Sequence, residues 1–140
     1  MCDENHRELR SSMLESMNTL GNETLKEFIT RLSHKQGLWS SGWFASPSME
    51  VYVRAGDQYN RALGIHKSVV IANVHVYQKE RRKGVFKTFL DEVESLAITL
   101  NCESVRVECV GNELLRDYLL RIGYIIENRE EIAPTLYLPL

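Results

Sequence analysis

One change of hydrophobic period limits this chain more than any other feature. From Lys67 to Tyr77 the sequence KSVVIANVHVY is β-branched and alternates, with Val70, Ala72, Val74 and Val76 on one expected face. From Val85 the apolar spacing lengthens to about 3.6 residues. Val85, Phe86, Phe89, Leu90, Val93, Leu96, Ala97 and Leu100 then form one broad helical stripe. Between the two lies a polar run, Gln78 to Lys83, closed by Gly84. Val105 to Val110 reads as a strand again. A strand that returns to its own sheet through a helix must cross over, which makes the strands near 70–76 and 104–110 parallel and the connection right-handed.

The flanks extend the same pattern. Met49 to Arg54 (MEVYVR) alternates as a strand, and Gly56 to Arg61 reads as a hairpin connection. Asn112 is placed to cap a short helix whose apolar face is Leu115, Leu119 and Ile122, with Gly123 ending it. Tyr124 to Ile126 and Leu136 to Leu138 read as two final strands. Upstream, Leu9, Met13, Leu14, Met17 and Leu20 have helical spacing up to Gly21, and Asn22 is set to cap a second helix facing inward with Leu25, Phe28, Ile29 and Leu32. Residues 36–48, rich in Gly, Ser and Trp, read as a loop whose Trp39 and Trp43 either line a pocket or cover the edge of the core. The expected fold is α/β, a central mixed sheet flanked by helices. It forms a single domain over 1–140, with a helical part and loop at 1–47 and the sheet at 48–140.

Composition removes several function classes. With 17 basic and 19 acidic residues the formal net charge is −2, which argues against general affinity for nucleic acid or an anionic membrane. Cys2, Cys102 and Cys109 are odd in number and irregularly spaced, as expected of reduced thiols in a cytoplasmic protein. No CxxC pair occurs, and His6, His34 and His66 lack acidic partners at ligand spacing, so no metal site is expected. The charged start MCDENHRELR is not a signal peptide, and no apolar run is long enough to span a membrane.

The segment that carries chemistry is Val76-Tyr77-Gln78-Lys79-Glu80-Arg81-Arg82-Lys83-Gly84-Val85-Phe86. A strand, a basic loop, a glycine and a helix start bring together backbone N–H groups, the positive end of a helix dipole and the cations Arg81, Arg82 and Lys83. Gly84 has no Cβ to hold an anion away. Such a nest suits phosphate or pyrophosphate; the alternative is a solvated basic turn.

This segment resembles the acetyl-CoA motif of the GNAT N-acetyltransferase superfamily. There a strand ending in Val leads into [Arg/Gln]-x-x-Gly-x-[Gly/Ala] at the head of a long helix. A second motif of the family, Asn followed by a short helix and Gly-aromatic, is similar to Asn112 through Gly123-Tyr124. The resemblance covers about residues 66–126. It implies acetyl-CoA as co-substrate, with the pyrophosphate on residues Arg81, Arg82, Lys83, Gly84, Val85 and Phe86, and the pantetheine arm along Val74 to Val76. It places Asn112 beside the cofactor. It implies direct transfer of acetyl to an amine of a small molecule or a protein, without an acyl-enzyme. A homodimer is left open. The rival is a catalytically silent module of the same fold that acts through protein contacts.

Three departures stand out: Phe86 replaces a small residue, Leu119 stands where the family often has tyrosine, and two helices precede the first clear strand. Tyr118 lies one residue before Leu119, about 100° around the helix. Tyr118 as acid for the leaving thiolate and Glu108 as base are the catalytic candidates, each weighed against a packing or ion-pair role. His75 has a suitable intrinsic pKa but opposes Val74 and Val76 in parity. Cys109 lies near the expected thioester and is more economically read as a small apolar residue. Trp39, Trp43 and Tyr52 are candidates for an acceptor pocket.

Overall fold

The computed structural model describes residues 23–34, 39–127 and 132–140. The expected first helix, with Leu9 to Leu20 and its stop at Gly21, lies outside the described residues, as does Asn22. The helix expected next is present as α1 (Leu25–His34), with Leu25, Phe28, Ile29 and Leu32 buried. Its start is fixed by Thr24 and Glu27. The Glu27 amide donates to Thr24 Oγ1 at 3.2 Å and the Thr24 amide donates to Glu27 Oε1 at 3.0 Å, a reciprocal capping box. Those hydrogen bonds hold the Glu27 carboxyl below its ordinary pKa.

The segment expected to be a loop is a strand, β1 (Trp39–Ala45). It pairs antiparallel with β2 (Met49–Asn60), from Trp39 opposite Gly56 to Ala45 opposite Glu50. Its small residues are there for contact, not for looseness. A Cβ on Gly42 would meet Phe28 at 3.2 Å, and Ser40 Oγ donates to the Leu32 carbonyl at 2.7 Å. Close approach of α1 therefore requires the composition that reads as a turn.

The hairpin after β2 is tighter and later than expected. β2 runs to Asn60 and β3 (Gly64–Val76) begins four residues on. Asn60 Oδ1 accepts from the amides of Ala62 and Leu63, and Gly64 takes a positive φ of 70°. Between Tyr52 and Val53 the pairing slips by one residue, so that Val53 faces Ile71 and Tyr52 faces Asn73. Ala72 is the extra residue of a β-bulge. In consequence Val74 and Val76 share the core face with Val69 and Ile71, and not with Val70 and Ala72 as strict alternation implies.

β3 leads through a 3₁₀ turn (Gln78–Glu80) to α2 (Val85–Thr99), which returns to β4 (Ser104–Val107). β3 and β4 pair parallel, as the crossover demands. Then follow α3 (Glu113–Arg121), β5 (Ile125–Ile126) and β6 (Leu136–Pro139). The sheet is mixed and ordered β1-β2-β3-β4-β6-β5. Its core face carries Val51, Val53, Val69, Ile71, Val105 and Leu136 against Phe28 and Ile29 of α1 and Phe89, Leu90 and Val93 of α2. The other face holds a polar chain in which His66 Nε2 lies 2.7 Å from Ser104 Oγ, itself 2.9 Å from Ser68 Oγ. Among the described residues no helix is long and apolar enough to cross a membrane.

Candidate functional site

The site forms where β3 and β4 stop pairing. The last ladder positions are Ile71 and Val107, after which the Glu108 amide donates to the Ile71 carbonyl at 2.9 Å. β4 ends there, three residues short of the expected Val110. Cys109 takes a left-handed φ of 54°, and Val110 turns away to donate to the Pro134 carbonyl. On the other side the bulge at Ala72 bends β3. Two strands that diverge leave a slot of about 430 Å³, lined by Ala72, Asn73 and Val74 on one side and Glu108, Cys109 and Asn112 on the other.

A second cleft of about 240 Å³ lies between the head of α2 and α3. Its walls are Val76, Glu80, Arg81, Arg82, Gly84, Val85, Phe86 and Lys87, with Leu114, Leu115 and Tyr118 of α3 opposite. Leu115 lines both spaces, so the cleft and the slot adjoin.

The loop is built to present donors. Gly84 is buried, precedes α2 with φ 78°, and accepts the first helical bond, from the Thr88 amide at 3.0 Å. The amides of Val85, Phe86 and Lys87 therefore have no acceptor within the helix. Arg82 also adopts a left-handed φ, 65°, so that left-handed residues alternate through the turn and curve it into a concave nest. The cations divide their roles. Arg81 Nε donates back to the Val76 carbonyl at 3.0 Å. Lys83 pairs with Glu80 at 3.2 Å and lines neither space. Arg82 lines the cleft.

Most of the expected cofactor residues thus gather around two adjoining spaces: Val76, Arg81, Arg82, Gly84, Val85 and Phe86 at the cleft, Val74 and Asn112 at the slot. Asn112 also caps α3, its Oδ1 accepting from the Leu115 amide at 3.0 Å. Phe86 contributes an apolar wall, with its ring 6.4 Å from that of Phe89.

The two catalytic candidates are not brought together. Glu108 lines the slot and forms an ion pair with Arg54 of β2. Tyr118 lines the cleft, with the Lys87 ammonium 4.3 Å from its ring centroid. Burial raises the Tyr118 phenol, and Asp91 and Glu94 add to this while Arg121 opposes it. Leu119 points inward and is fully buried. His75 is exposed and sets its ring edge-on to Tyr77. Trp43 and Tyr52 do meet, with centroids 5.2 Å apart on the far face of the sheet. Among the described residues no three metal-ligating side chains cluster.

Sequence reading missed Arg54, Lys87 and the wall of Leu114 and Leu115. Lys87 was within reach, one helical turn past Gly84. Arg54 was not, because only strand pairing brings it beside Glu108.

No protein-family model and no curated protein matches this chain. Solved structures do. The KacTA–DNA complex superposes with a TM-score of 0.51 at 16% identity, over 76% of this chain and 70% of that one. AtaT complexed with acetyl-methionyl-tRNAfMet gives 0.51 at 16% identity, over 66% of this chain and 62% of that one. A GNAT-family acetyltransferase from Listeria monocytogenes gives 0.49 at 14% identity, over 66% and 64%. The chain therefore spans less than two thirds of the Listeria and AtaT chains. Identities this low speak to fold alone: over the parts covered, this chain shares its mixed α/β fold with the KacTA and AtaT structures.

Proposed function

We propose that the protein is an N-acetyltransferase that moves an acetyl group from acetyl-CoA to an amine by direct transfer. One observation carries this reading: a nest of unsatisfied amides at the head of α2 opens into a cleft that adjoins, through Leu115, the slot between β3 and β4. In this reading the CoA pyrophosphate accepts from the amides of the Arg82–Lys87 turn, with Arg82 as counter-charge. The pantetheine arm passes Val76 and Val74 and delivers the thioester to the slot. An amine attacks the carbonyl carbon, a backbone N–H of β3 beyond Ile71 stabilises the oxyanion, and the C–S bond breaks to release CoA thiolate. The incoming ammonium must lose a proton and the thiolate must gain one. Glu108 is the carboxylate that lines the slot, shared with Arg54. Residues of this site fit acetyl-CoA because donors, apolar walls and the slot follow one another in the order of the cofactor's own parts.

The acceptor is an amine on a small molecule, a protein or an aminoacyl-tRNA. The last is included because AtaT, solved with acetyl-methionyl-tRNAfMet, shares the fold. A catalytically silent binding module is the second reading. It is favoured by Leu119, whose buried side chain leaves the slot without a tyrosine hydroxyl.

Native mass spectrometry of the purified protein, followed by release of free thiol from acetyl-CoA against a broad amine panel, tests both. Turnover with any amine supports the enzyme. Tight acetyl-CoA binding with no turnover supports the silent module. Failure to bind acetyl-CoA sinks the enzyme and leaves the module that acts through protein contacts.

A further inference from the structure

The Glu108 amide makes the last bond of its strand to β3, and Cys109 after it turns left-handed. The Glu108 side chain thus stands where the parallel pair parts, on backbone about to leave the sheet. One residue ties it down. Arg54 Nη2 donates to Glu108 Oε2, across 54 positions of sequence. Arg54 belongs to β2, which does not adjoin β4. In the ladder Arg54 lies opposite Val70, and Val70 opposite Arg106, so β3 runs between the two partners. The guanidinium reaches diagonally across that strand, and Val70 in the row between is fully buried. Each side chain of the pair is 22% exposed, so solvent and salt screen it less than a surface pair.

The charge around the slot is sparse. Among its lining residues Glu108 is the only acid, and Cys109 is the only other group that titrates. Arg106, the one cation within β4, is held by Glu127 at 2.8 Å. The slot also has two unlike sides. The cofactor cleft lies between α2 and α3, so a thioester comes from there. Arg54, Val70 and Arg106 share the face of the sheet turned away from α2, because Val69, Ile71, Val105 and Val107 take the core face. That opposite face is the one left to an incoming amine.

Resting on the acetyl-transfer reading above, we infer that Arg54 is a positioning residue: it holds the Glu108 carboxylate on the acceptor side of the slot, where that carboxylate takes the proton of the incoming ammonium. Arg54 engages Oε2, which leaves Oε1 for the proton. The freed lone pair of nitrogen then forms the N–C bond. The C–S bond breaks with its electron pair on the coenzyme sulfur, which takes the nitrogen's second proton. A guanidinium beside the carboxylate favours its charged form, the form a base needs.

Two measurements on the full chain test this. In glutamate-labelled protein the Glu108 carboxyl carbon, assigned by its loss in Glu108→Gln, is followed by NMR against pH. Arg54→Met should move its titration to higher pH, and Arg54→Lys should restore most of the difference. Cys109 does not confuse the reading, since a thiol titrates at higher pH than a carboxylate. Thiol release from acetyl-CoA is then measured with the amine of the panel that turns over fastest. In Arg54→Met kcat should fall about tenfold with KM for acetyl-CoA unchanged, short of the hundredfold or more expected of Glu108→Gln, where the base itself is gone. An unmoved Glu108 titration in folded Arg54→Met overturns the inference. So does a parental kcat in Arg54→Met or in Glu108→Gln, and each of these leaves the acetyltransferase reading intact. No turnover by the parent with any amine overturns that reading and the inference with it.

Discussion

Arg81 Nε donates to the carbonyl of Val76 at 3.0 Å, so this arginine closes the basic loop onto the strand it has just left. The loop's shape is therefore fixed from within, and Arg82, which makes no such backbone bond, lines the cleft beside the helix head. Two predictions follow from that division.

Gly84→Asp should cripple acetyl-CoA binding. The position combines a left-handed φ, about 1–2 kcal/mol unfavourable for a residue with a Cβ, with a carboxylate placed where phosphates sit. Gly84→Ala, which has the strain without the charge, should be less damaged. Calorimetry reads both, and equal CoA affinity in parent and Gly84→Asp would remove the nest from the site.

Arg82→Gly should separate stability from binding. A left-handed arginine is strained and glycine is not, so the variant should gain about 0.5–1 kcal/mol in urea denaturation after glycine's own entropic cost. The same change removes one of the cations that line the cleft, so CoA affinity should fall and its salt dependence flatten. A less stable variant would mean that Arg82 makes contacts worth more than its strain.

Tyr118→Phe should leave kcat of acetyl transfer close to that of the parent, because Tyr118 lines the cleft and not the slot. Proton donation is needed only as the thiolate leaves, so a true acid would show in kcat and hardly in KM. A drop in kcat of a hundredfold or so, the usual scale of a lost general acid, would return the phenol to the chemistry.

Glu94 accepts from the Tyr124 hydroxyl at 2.7 Å, tying α2 to the chain after α3. Burial raises the Glu94 carboxyl above its unfolded value of 4.5, and burial with the Glu94 bond raises the Tyr124 phenol. For a raised acid the folded state holds its proton more tightly. The contribution to stability is then full below pH 4.5 and is lost as pH rises through the folded value. Glu94→Gln keeps an acceptor for Tyr124 and cannot ionise. Denaturation at pH 4 and pH 7 should show the variant gaining on the parent as pH increases, and parallel profiles would place that carboxyl in water.

How much of this was legible beforehand depends on whether a feature was local. The change of period at Gly84, the cap at Asn112 and the inward faces of α1 and α2 are properties of neighbouring residues, and the sequence carried them. The capping box of Thr24 and Glu27 was equally local and was passed over for Asn22. β1 was hidden because Ser40 and Gly42 are small for the sake of Phe28 and Leu32 on another element, and smallness at a contact reads the same as smallness in a turn.

The amino-acid sequence by itself determined a strand, a basic turn, a glycine-led helix and a returning parallel strand, because periodicity and backbone freedom are written residue by residue. Only the tertiary structure decided where the parallel pair parts. That depends on one extra residue at Ala72 and on a left-handed Cys109, neither of which has a composition of its own to announce it. The same pairing set Arg54 against Glu108, sent Leu119 into the core and turned Tyr118 toward Lys87. Those are relations between segments far apart in the chain, fixed by which faces had to be buried together.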